Sequence, residues 1–188
     1  MNEEECNFIT KDKKISKMGK VLSLEDINTF VKERFTEVKK SNKIKDLVSF
    51  QAKNKFLIMA HSQEQLKTLG RIVASNNKMN LPEILAEYEK HLSLALEFTP
   101  SVKTHSNVLM HIFGFFSGEF SDLEKKKFFE LQQSYKKGKI TIGATLAEIH
   151  PITYRFNKIY LASQSYFLLY ANLDEESIFT MLDKKTEK

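Results

Sequence analysis

Five histidines, at positions 61, 91, 105, 111 and 150, are the first residues to weigh for chemistry. His61 and His105 each precede a serine, and a histidine beside a hydroxyl could act as base to a nucleophile. Adjacency in the chain is not the through-space geometry of a triad, however. Ser62 has a simpler use as a helix cap, with Gln65 three residues on to complete a capping box. On a helix His105 and His111 point about 120° apart, so they cannot jointly grip an ion. Asn107 and His111 are four apart and share a face, but asparagine is a poor metal ligand. The chain has no His-Glu-x-x-His pair, no Gly-x-Ser-x-Gly elbow and no phosphate-cradling glycine loop. Its one cysteine, Cys6, excludes a disulfide scaffold, a cysteine-rich zinc site or an iron–sulfur cluster held by this chain alone. No cofactor and no metal are expected, and a reaction of its own stands only as the lesser alternative.

The cations offer a different chemistry. The net charge is +5, compatible with a polyanionic partner. Lys53 and Lys55, Lys67 and Arg71, and the group Lys125, Lys126, Lys136 and Lys137 are candidate phosphate contacts. Arg71 is the sharpest of these, beside Gly70 and near the capped turn after His61. The aromatic C-terminal third could add stacking surfaces.

These residues must be positioned by helices. Trp is absent and Pro and Gly are few, which disfavours a turn-rich β-fold. Residues 1–22 form a polar leader. Ser23 with Asp26 opens a first helix over Ile27, Phe30, Val31, Phe35 and Val38. A second is expected from about 44 to 60 without interruption, and a third from Ser62 to Ala74, with Gly70 costing about 1 kcal/mol unless a close contact compensates. Pro82 opens a fourth.

The stretch 105–118 is apolar nearly all round and is expected to be the buried centre of the domain. Its narrow strip of Asn107, His111, Gly114 and Gly118 reads as a seam that wants a partner. Ser121 with Glu124 caps the next helix, and Gly138 is its C′ residue. A short helix from Ala144 should end at Pro151. Residues 160–167 read as a helix passing into a loop, and 173–182 as a last helix. No apolar run approaches a membrane span and the N-terminus has no secretory h-region, so a cytoplasmic protein with no membrane partner is expected.

Five stretches carry a resemblance: Leu-Val-Ser-Phe-Gln-Ala-Lys-Asn-Lys-Phe-Leu-Ile-Met-Ala-His-Ser (47–62), Leu-Gly-Arg-Ile-Val-Ala (69–74), His-Ser-Asn-Val-Leu-Met-His-Ile-Phe-Gly-Phe-Phe (105–116), Tyr-Lys-Lys-Gly-Lys-Ile (135–140) and Tyr-Leu-Ala-Ser-Gln-Ser-Tyr-Phe (160–167). Together, over roughly 44–170, they resemble the YbgA-like family, a bacterial domain of unknown function numbered 1722, in its stand-alone form. In that family the domain stands alone or follows a cysteine-rich domain related to thiouracil and thiouridine desulfurases. The resemblance therefore implies a helical accessory module that presents tRNA to a sulfur-removing domain or a separately encoded desulfurase. It marks Lys55, His61, Ser62, Gly70, Arg71, His105, Asn107, His111, Gly114 and Gly138. The chain departs from the family at Gln51 and Asn54, where histidines are common, and at 141–145, which lacks the usual prolines.

The expectation is an all-α, single-domain bundle over 23–188, of about seven to nine helices around a buried central helix. Its function is read as a non-catalytic nucleic-acid-binding accessory module, with tRNA or other RNA as partner. Its binding residues are Lys55, His61, Ser62, Arg71, His105, Asn107, His111, Lys125, Lys126, Lys136 and Lys137. Two alternatives stand beside it: a small enzyme or nucleotide-ligand protein using His61, His105, Asn107 and His111 around a pocket, and a protein-interaction subunit.

Overall fold

In a computed structural model of the protein, residues 22–75 and 78–171 are described, and every regular element among them is an α-helix. In order these are α1 (Leu24–Ser41), α2 (Ile44–Lys53), α3 (Lys55–His61), α4 (Gln63–Ala74), α5 (Leu81–Glu97), α6 (Val102–Gly114), α7 (Asp122–Lys136), α8 (Ile142–Arg155), α9 (Ile159–Ala162) and α10 (Ser165–Tyr170). The leader and the helix expected at 173–182 lie outside the described residues.

Local chemistry sets most of the helix starts. Ser23 accepts from the Asp26 amide while the Asp26 carboxylate accepts from the Ser23 amide, and the same reciprocal box forms at Asn80 with Glu83 and at Ser121 with Glu124. Ser62 caps α4 by accepting from the Gln65 amide at 3.2 Å. The expected reciprocal half is missing there, because the Gln65 side chain turns away to His91 Nδ1 at 2.8 Å. Gly138 sits at φ +69° after α7, and the amides of Gly138 and Lys139 return to the carbonyls of Tyr135 and Ser134. That left-handed turn is the reason for a glycine there.

The centre of the bundle is α3, not the expected 105–118 stretch. From Phe56 to His61 every residue of α3 is buried, and α2, α4, α5, α6 and α10 all pack on it. Five apolar residues in a row, Phe56 to Ala60, leave this helix no polar face, so only an interior position suits it. Helix α6 is instead amphipathic. His105, Val108, Leu109 and Ile112 face inward, toward α3 and α7, while Met110, His111 and Gly114 are exposed.

Three breaks differ from expectation. Residues 44–61 split at Asn54, whose side chain donates to the Phe50 carbonyl at 2.9 Å. The Gln164 amide spans that break: it donates to the Ala52 carbonyl at 2.8 Å and its oxygen accepts from the Phe56 amide at 3.4 Å. The 160–167 run forms two short helices rather than one, parted at Ser163 and Gln164. Conversely, Pro151 does not end α8 but lies within it. Proline forfeits one backbone hydrogen bond and costs roughly 3 kcal/mol in a helix interior; packing of α8 against α7, α9 and α10, which buries Leu146 and Ile149, opposes that cost.

Candidate functional site

Two of the proposed polar residues do come together. Ser62 stops α3 at His61, and the Ser101–Thr104 capping box starts α6 so that His105 turns inward. His61 donates from Nδ1 to the Phe98 carbonyl at 2.8 Å, because a carbonyl can only accept. Its Nε2 therefore accepts from the Tyr170 hydroxyl at 3.1 Å. His105 Nδ1 is hydrogen-bonded to the Tyr166 hydroxyl at 2.7 Å, and the His105 ring meets the edge of Tyr170 at a centroid distance of 5.1 Å.

Burial lowers the pKa of His61 to about 4 against the opposing pull of the Phe98 carbonyl. Burial, then the neighbouring His61, lowers His105 to about 4. Burial raises Tyr166 and Tyr170, so both stay protonated. This is a neutral, largely buried cluster. Both nitrogens of His61 are engaged, and the cluster clamps α10 onto α3 and α6 rather than presenting a base to a substrate.

The seam residues lie elsewhere. Asn107 is half-buried and donates to Gln63 at 3.4 Å, and His111 is exposed. No other atoms crowd Gly114 or Gly118: a Cβ at either meets nothing within 4 Å, and Gly70 is equally open. The four-residue His/Asn pocket is thus not assembled, because 105 faces the core and 107 and 111 face away from it. Among the described residues no group of three or more His, Cys, Asp or Glu could hold a metal ion.

The basic residues divide into a scattered set and a gathered one. Lys55 and Arg71 are exposed on α3 and α4, and Ser62 serves as a cap. Around the C-terminal half of α7 lie two grooves. One, of about 600 Å³, is lined by Val102, Lys103, Ser106, Asn107, Met110 and Lys136. The other, of about 510 Å³, is lined by Lys126, Phe129, Glu130, Gln133, Ser134, Lys137 and Lys139. Lys136 and Lys137, adjacent in sequence, point one into each. Lys125 lies apart, 3.7 Å from Asp122. Lys103 and Lys139 were missed because neither belongs to a run on one helix: the first comes from α6 and the second is folded back by the Gly138 turn.

A cleft of about 640 Å³ lies between α1, α2 and the α9–α10 turn, lined among others by Phe30, Arg34, Phe50, Asn54, Gln164 and Leu168. Of the cations weighed as phosphate contacts, Lys53 alone lines it. Arg34 stacks over Phe30 and pairs with Glu37, so its charge is already partly neutralised. Asn54, which breaks α2 from α3, borders this cleft.

Residues 55–171, more than half of the chain, match the protein family described as "Protein of unknown function (DUF1722)". The chain is similar to the "Uncharacterized protein YbgA" of Escherichia coli (strain K12), with 28% identity over 125 residues that cover 66% of this chain and 74% of that one. No solved structure matches.

Proposed function

We propose that this chain, which belongs to the DUF1722 family, is a non-catalytic nucleic-acid-binding module that takes RNA, with tRNA first, on the lysine-lined face of α6 and α7. One observation carries the reading. Lys103, Lys126, Lys136, Lys137 and Lys139 line two neighbouring grooves against a single acid, Glu130. Lys126 and Glu130 are 4.0 Å apart and both exposed, and such a pair contributes little and yields readily to a phosphate. The α6–α7 face thus replaces Arg71 and Lys55 as the main contact surface.

The chemistry served is thiouridine desulfurase-type sulfur removal, carried by another domain or protein in the cytoplasm. That part rests on the family resemblance alone. Helices of the described residues are none of them long and apolar enough to cross a membrane.

The test compares bulk tRNA with duplex DNA of similar length at two salt concentrations, for the wild type and for a Lys126→Glu/Lys136→Glu/Lys137→Glu variant. The reading expects tRNA-preferring, salt-dependent binding, with lower affinity and a shallower salt dependence in the variant. No binding, or binding that the variant leaves unchanged, rejects it.

A further inference from the structure

Resting on that reading, we propose that the groove along α7 is a seat for a short unpaired stretch of RNA, with one base stacked on Phe129 and backbone phosphates on Lys126 and Lys137. The groove holds about 510 Å³, and its floor is a ring. Phe129 is 39% exposed. Its ring is held from behind by Phe113 at 4.8 Å and Phe128 at 6.1 Å between centroids. Phe128 is buried and Phe113 packs on the core. The exposed ring is therefore the outer member of a tilted and edge-to-face aromatic cluster anchored in the interior, which holds it in place before any ligand arrives.

Helical periodicity completes the seat. Lys126, Gln133 and Lys137 fall on one stripe about 16 Å long, with Phe129 beside it. The two ends are cationic and the middle offers a π-face together with the Gln133 amide and the Ser134 hydroxyl for a base edge. Lys139 is brought back onto the same groove by the Gly138 turn, whose Lys139 amide reaches the Ser134 carbonyl at 2.9 Å. A duplex buries its base faces in its own stack, so only a single strand, a loop or an end can use this ring.

The chain contains no tryptophan, so Phe129→Trp places a lone tryptophan, excited selectively over the tyrosines, in the seat. The probes are an unstructured single-stranded RNA and the duplex formed from it with its complement, both fluorescein-labelled for affinity and unlabelled for emission. Stacking predicts that single-stranded RNA quenches the emission of Phe129→Trp and the duplex does not. Phe129→Leu should bind the single strand about tenfold more weakly, with an unchanged salt slope because no phosphate contact is lost. Phe129→Tyr should bind as the wild type does, and thermal unfolding should show all three variants folded.

Salt-dependent binding with an unquenched tryptophan and an undiminished Phe129→Leu overturns the stacking seat while leaving the nucleic-acid reading in place. Binding of neither RNA by the wild type overturns both.

Discussion

His105 Nδ1 and the Tyr166 hydroxyl, 61 positions apart in the chain, form a 2.7 Å hydrogen bond that fastens α10 to α6. With His61 and Tyr170 beside them they make a cluster whose neutrality is a condition of the fold.

That condition has a pH signature. His61 and His105 have a pKa of about 4 when folded, against about 6.5 in an unfolded chain. Between these values the unfolded state binds more protons, so stability is full above about pH 6.5 and is lost as pH falls toward 4. Each histidine alone corresponds to a loss on the order of 3 kcal/mol, and their mutual repulsion makes the two effects non-additive. Urea unfolding at pH 7.5, 6, 5 and 4.5 measures this. His61→Gln with His105→Gln should be less stable at pH 7.5 and flatter across the series; an equally steep series would assign the acid sensitivity elsewhere.

Two glycines should respond to alanine with opposite signs. Gly70 lies inside α4 with open space where a Cβ would go, so Gly70→Ala should stabilise by about 0.5–1 kcal/mol. Gly138 holds φ +69°, and Gly138→Ala should destabilise by about 1 kcal/mol. Thermal melts of the two variants check the pair of signs.

Gln164 is 1% exposed and serves the Ala52 carbonyl and the Phe56 amide at once. Gln164→Ala leaves both backbone groups without that partner and should cost about 2 kcal/mol. Because the α2–α3 break is the place it holds, amide hydrogen exchange should quicken first at Phe56 and its neighbours. Exchange that quickens evenly over the chain would argue against this local role.

Charge reversal should discriminate between the basic groups. Lys137→Glu should weaken tRNA binding more than Lys55→Glu or Arg71→Glu, because Lys137 shares its groove with Lys126 and Lys139 while the other two line neither groove. Fluorescence anisotropy at fixed salt gives the ranking, and an equal effect from all three would favour diffuse attraction by the net charge.

Helix starts are readable from the chain because a cap is local: Ser23 with Asp26, and Ser121 with Glu124, need only three residues to declare themselves. The all-α class follows from the same caps and from periodicity. What a local reading misses is what distant residues decide. The break at Asn54 is held by Gln164, and Pro151 stays helical because α8 packs against α7, α9 and α10. The stretch 105–118 is apolar nearly all round in sequence, yet Met110 and Phe115 are exposed. The uninterrupted apolar run from Phe56 to Ala60 was the better sign of a centre. Among the candidate residues, His61 with His105 was foreseeable only as a pair of odd residues. The meeting of Lys136 with Asn107 and Lys103 depends on how α6 and α7 cross, which no spacing encodes.

The Gln164 bridge also bears on how the chain is made. Ala52 and Phe56 leave the ribosome more than one hundred residues before the side chain that joins them. Until then the apolar run Phe56–Ala60 of α3 has neither that bridge nor α10 to cover it, although α2, α4 and α5 are already present to pack against. Synthesis therefore yields an N-terminal half that is helical but unsealed, exposing apolar surface of the kind that nascent-chain chaperones shield. Closure waits for residues 164–170, which makes the last helix described the step that commits the whole bundle.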